Sequence, residues 1–98
     1  MNIIKTNENN ALTLAIQGRL DTTTAPELEQ VLQSELDGVA LLRMDFEQLE
    51  YISSAGLRVL LSAQKRMNKQ GDMVVCNVNE TVAEVFEITG FSDVLNIE

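Results

Sequence analysis

The sequence contains no histidine and no tryptophan, a single cysteine (Cys76), a single proline (Pro26) and only 7 basic side chains in 98 residues. Each shortage removes a class of function. Without histidine there is no imidazole for acid–base catalysis and none to hold a metal. One cysteine permits neither an internal disulfide nor a cysteine metal cluster. Against 15 acidic residues the few basic ones leave a net charge of -8, the wrong sign for phosphate backbones or an anionic leaflet, so nucleic acid and membrane are poor partners. No apolar run approaches the eighteen or so residues of a membrane span, and the start Met1-Asn2-Ile3-Ile4-Lys5 lacks a basic region followed by an apolar stretch. A cytoplasmic location is expected. Glycine-rich phosphate loops are missing too, in both the Gly-x-x-x-x-Gly-Lys-Ser/Thr and Gly-x-Gly-x-x-Gly forms. A serine nucleophile would lack a base, since Leu57 stands three residues after Ser54 where a lysine could have substituted. The chain therefore reads as a non-enzymatic protein with no cofactor and no metal.

What is present is a core. Hydrophobic residues make up 45% of the chain, and the length suits one compact domain over residues 1–98. Asn2–Thr6 is a short apolar-polar segment, Asn7–Asn10 a turn cluster, and Ala11–Gln17 alternates with Leu12, Leu14 and Ile16 on one side. Together they predict an N-terminal hairpin. Gly18-Arg19-Leu20-Asp21 is read as leaving that strand. Thr24 with Glu27 forms a capping-box pattern around Pro26, and Leu28, Val31, Leu32 and Leu36 then make a helical stripe that Gly38 ends. The apolar run from Val39 toward Phe46 predicts an inner strand covered on both faces, leading directly to the next loop. A helix is expected from Ala55 to about Gln70, a strand over Met73–Val78, and a last helix capped by Asn79 with Val82, Val85 and Phe86 inward. Phe91, Val94, Leu95 and Ile97 form an apolar tail placed back against the sheet. This order predicts an α/β fold, a small mixed sheet with helices packed on it.

The stretch Tyr51-Ile52-Ser53-Ser54-Ala55-Gly56-Leu57 sets two hydroxyls at a helix start. If Ser54 is the N-cap, its side chain reaches the amide of Gly56 or Leu57, and the helix end favours negative charge, as on a phosphoserine. Capping alone also accounts for both serines. Asp21 has two readings as well, a turn residue or a functional carboxylate. Asp45, ending an inner strand, stands where receiver-like domains accept phosphate, but no acidic pair follows an earlier strand to hold magnesium; a helper near the serine loop or a structural carboxylate fits it better. Cys76 in an apolar strand reads as a buried thiol.

Ile52-Ser53-Ser54-Ala55-Gly56-Leu57, preceded by Asp45-Phe46 and Leu49, resembles the phosphoacceptor loop of the STAS domains that act as bacterial anti-sigma factor antagonists. Gly18-Arg19-Leu20-Asp21 upstream, and Gly71, Met73–Cys76, Val85-Phe86 and Gly90-Phe91 downstream, follow in that family's order, so the resemblance covers nearly the whole chain. It implies Ser54 as the phosphorylated residue. The family's aspartate position is Ser53 here, which makes Ser53 a second candidate acceptor. It further implies an anti-sigma factor serine kinase as partner, a phosphatase for reactivation, and a docking surface of Asp21, Ser53, Ser54, Gly56 and Arg58. A STAS subunit of a transporter or signalling assembly, without a phosphorylation cycle, is the alternative.

Overall fold

The computed structural model describes residues 1–98. Strand β1 (Asn2–Glu8) turns through Asn9 and Asn10 into β2 (Ala11–Leu20), its antiparallel partner, with Asn9 in the left-handed region at φ 57°. Asparagine tolerates that conformation better than most residues, so the Asn-Asn pair explains the tight hairpin. Helix α1 (Ala25–Glu35), strand β3 (Leu41–Asp45), strand β4 (Leu49–Ile52), helix α2 (Ser54–Gln70), strand β5 (Asp72–Cys76) and helix α3 (Glu80–Thr89) follow, and a short 3-10 turn spans Phe91–Asp93. Apart from the hairpin all pairing is parallel, in the order β1-β2-β3-β5 with β4 also on β2. The result is a mixed α/β fold, as the alternation of elements predicted.

Strand β2 organises the sheet. Its first half pairs with β3 through Ala11–Ala15, and its second half pairs with β4 through Gly18–Leu20. The change of partner coincides with a bulge at Gly18/Arg19, where Gly18 has φ 95°, a conformation glycine adopts without strain. Gly18 therefore bends the strand where the sequence reading ended it. Strand β4 is the other correction. Four residues whose burial runs inside-out-out-inside show no period-2 signal, so the chain does not pass directly from β3 to the serine loop.

Leu12, Leu14, Ile16, Leu42, Met44 and Phe46 are fully buried, in one core of 25 residues that includes the inner positions of all three helices. Strand β3 alternates, with Leu41, Arg43 and Asp45 only half-buried. It is covered on one face, not both, because its outward face stays largely open. The same opening leaves Cys76 half-buried, not sealed inside. The chain's end runs beside β5, where Val75 N–H donates to Asn96 and Glu98 N–H donates to Val75, and Leu95 is buried as the tail reading expected. No helix is long and apolar enough to cross a membrane.

Candidate functional site

The C-terminal ends of β2 and β4 lie side by side and deliver Asp21 and the serine pair to one edge of the molecule. Ser53 is tied to β2 by its backbone N–H, which donates to the Leu20 carbonyl at 2.9 Å, and its own carbonyl accepts the first helical hydrogen bond of α2 from Leu57 at 3.0 Å. With extended φ -101° and ψ 176°, Ser53 is the N-cap. Ser54, expected in that position, is the first residue inside the helix, and no side-chain cap bond forms. Two adjacent serines are indistinguishable as caps from sequence alone. The helix selects Ser53 because its backbone is the one still in extended geometry.

That one-residue shift separates the two hydroxyls. Ser54 is exposed to solvent. The Ser53 Oγ is buried and meets no hydrogen-bond partner. Amides of the first turn precede the first helical bond and so have no intrahelical acceptor, and the dipole of a 17-residue helix favours an anion beside them.

Gly56 is buried beneath this turn. A β-carbon there would stand 2.7 Å from Leu20 Cγ and 2.9 Å from Ile52 Cγ1, well inside contact distance. Its requirement is close packing of α2 on β2 and β4. As a buried residue it presents little to a partner.

Asp21 caps the turn that feeds α1. Its Oδ1 accepts from Thr23 N–H at 3.0 Å and from Thr24 N–H at 3.2 Å, while Oδ2 lies 3.7 Å from Arg19 Nε. The Thr24 amide above all, then the Thr23 amide, with Arg19 adding its charge, hold this carboxyl below its ordinary range, and partial desolvation opposes them. Thr24 makes no capping-box bond; its hydroxyl accepts from Asp21 N–H at 2.9 Å and donates to the Arg19 carbonyl at 2.8 Å. Thr24 remains the N-cap residue without a side-chain cap bond, and the aspartate holds the turn just before it. Arg58 is exposed on α2, and it lines, with Ala55, Val59, Glu29, Thr22 and Pro26, a shallow groove of about 350 Å³ between the starts of α1 and α2.

Two neighbours of the site carry no signal in the sequence. Arg19 lies opposite Tyr51 across the β2–β4 pair, its guanidinium 4.3 Å from the ring centroid, a cation–π contact on the outer surface. Only the β4 pairing brings them together, so no local pattern could have shown it. Asp45 lies on a different turn: its Oδ1 accepts from Glu47 N–H and from Asn77 Nδ2, both at 3.0 Å, which makes it a structural carboxylate. No group of three or more His, Cys, Asp or Glu side chains is arranged to hold a metal ion.

The family model for the STAS domain matches residues 2–98. The chain belongs to the STAS domain family. Among its relatives, the BtrV protein of Bordetella bronchiseptica, assigned as an anti-sigma factor antagonist, is 39% identical over 88% of this chain and 76% of its own length. The anti-sigma-B factor antagonist of Staphylococcus aureus is 29% identical over 99% of this STAS chain and 92% of its own. These are regulatory binding proteins, not enzymes. The fold matches that of SpoIIAA, an anti-sigma factor antagonist of Bacillus solved in unphosphorylated and phosphorylated forms. The unphosphorylated form has a TM-score of 0.78 at 15% identity over 99% of this chain and 87% of that one. The phosphorylated form has a TM-score of 0.77 at 16% identity over 99% and 91%.

Proposed function

We propose that this STAS protein is an anti-sigma factor antagonist controlled by phosphorylation of Ser54. Unmodified, it binds an anti-sigma factor that is itself an ATP-dependent serine kinase, and so frees a sigma factor. The kinase then modifies Ser54: a bond forms between Ser54 Oγ and the γ-phosphorus of ATP as the bond to ADP breaks, and the hydroxyl proton passes to a base on the kinase. The phosphoprotein dissociates, and a phosphatase restores the serine by hydrolysis, releasing inorganic phosphate. The observation that carries this reading is the exposure of the Ser54 hydroxyl at the start of α2. The buried Ser53 Oγ argues against the neighbouring serine as acceptor. Asp21 and Arg58, on either side of the loop, would contribute to the docking surface, with Ser53 and Gly56 shaping it from within.

Magnitudes favour a switch in binding over a switch in folding. A phosphate adds about -1.5 to -2 charges. At a helix N-terminus it gains about 0.3 to 2 kcal/mol, so the fold tolerates it. Inside a docked interface, like-charge contact and lost hydrogen bonds cost about 3 kcal/mol, roughly a hundredfold in affinity. The test is incubation with the candidate kinase and ATP, followed by mapping of the modified residue by mass spectrometry. Phosphate confined to residues outside the loop would overturn the proposal. Ser54→Ala should keep partner binding and lose modification, while Ser54→Asp should bind more weakly with an unchanged melting curve.

A further inference from the structure

Seven basic side chains serve this acidic protein, and most are engaged: Lys5 with Glu35, Arg19 with Asp21, Arg43 with Glu98, and Arg66 with Asp37. Of the arginines, Arg58 alone makes no ion pair. Glu29 lines the same groove but lies beyond ion-pair distance. Arg58 is exposed on α2, four residues after Ser54, which is exposed on the same helix. Residues spaced i and i+4 are neighbours on a helix surface, and the order anion first, cation second is the favourable one. A guanidinium offers parallel N–H donors that match two phosphate oxygens.

We infer that Arg58 is the built-in counterion of the modified serine, its guanidinium pairing with the Ser54 phosphate one turn up the same helix. The inference rests on Ser54 being the phosphorylated residue. Its consequence is a larger change at the docking surface than the phosphate alone would make. Before modification a free cation stands beside the loop, available to a carboxylate on the partner. Afterwards that cation is drawn to the phosphate, so the partner meets a new anion and also loses a positive contact.

The test uses the full chain with phosphoserine placed at position 54 during translation, so that no kinase is needed. The second ionisation of the phosphate, near pH 6, is followed by phosphorus NMR. A paired cation favours the dianion and lowers this pKa, so Arg58→Gln should raise it by about 0.3 unit. Arg58→Lys should raise it by less, keeping the charge but not the fork. Lys65→Gln removes an equal charge eleven residues along the helix, about 16 Å away, beyond the screening length at physiological salt, and should titrate with the parent. The helix terminus acts equally on all four proteins and cancels. Coincident titrations of the parent and Arg58→Gln overturn the pairing, as does an equal shift in Lys65→Gln. If the kinase leaves Ser54 untouched, the proposed function falls while the titration still reads the pair; if the titrations coincide, the pair falls and phosphorylation of Ser54 stands.

Discussion

At the scale of single residues the site depends on two positions, Gly56 and Asp21, that set its geometry. Gly56 lets α2 approach Leu20 and Ile52 so closely that even a methyl group has no space. Gly56→Ala should destabilise the protein by about 1–3 kcal/mol, the usual cost of overpacking, read as a lower urea midpoint; Ser54→Ala, at an exposed position, should leave the midpoint unchanged. Asp21 links the site to pH. Its carboxyl is lowered in the folded protein from an ordinary 3.8, so its stabilising contribution is complete above that value and is lost as pH falls through the lower folded one. Asp21→Asn keeps an acceptor oxygen but not the charge. It should melt lower than the parent at about pH 6, and the difference should shrink as pH falls below 3.8, which thermal melts across that range would show.

At the scale of elements, α3 supports the strand that leads into the serine loop. Asn79 caps α3 by accepting from Val82 N–H at 2.9 Å, and its Nδ2 donates to the Leu49 carbonyl in β4 at 2.6 Å. Phe86 from the same helix meets Phe46, ring centroids 6.4 Å apart. Removal of a cap costs about 1 kcal/mol, and here a partly buried carbonyl on β4 also loses its partner. Asn79→Ala should therefore lower the urea midpoint and speed amide exchange in β4 as well as α3, whereas a cap acting only on its own helix would leave β4 unchanged. The cap itself was legible in the sequence, because Asn79 directly precedes an amphipathic run. So were the alternation of Leu12, Leu14 and Ile16 and the stripe Leu28, Leu32 and Leu36, periods that survive in any tertiary context. The four residues of β4 were not legible: Glu50 and Tyr51 face out in sequence, and a strand that short shows no period of its own. Nor was the identity of the cap in Ser53-Ser54, which depends on where β4 ends.

At the scale of the whole molecule, the Cα radius of gyration of 12.1 Å is what a fully folded chain of this length shows. An exposed hydroxyl on a helix already formed requires no rearrangement to accept phosphate. Scattering from the phosphorylated and unmodified proteins should give the same radius to within about 1 Å, a compact chain having no slack to expand into, while anion exchange should retain the phosphoprotein longer. A measurable expansion would place the switch in the fold instead of the interface. The family resemblance was legible for the related reason that its motif residues set the start of a helix on a sheet, a geometry that leaves marks all along the chain. The one-sided burial of β3 left no such mark, since Val39–Leu42 reads identically whether one face is covered or two.

The fit of Gly56 onto Leu20 also seats the start of α2 so that the Ser53 hydroxyl is buried and Ser54 is exposed. Under the proposed switch, selectivity between the twin serines would then rest on a leucine more than thirty residues upstream of them, outside the loop's own sequence.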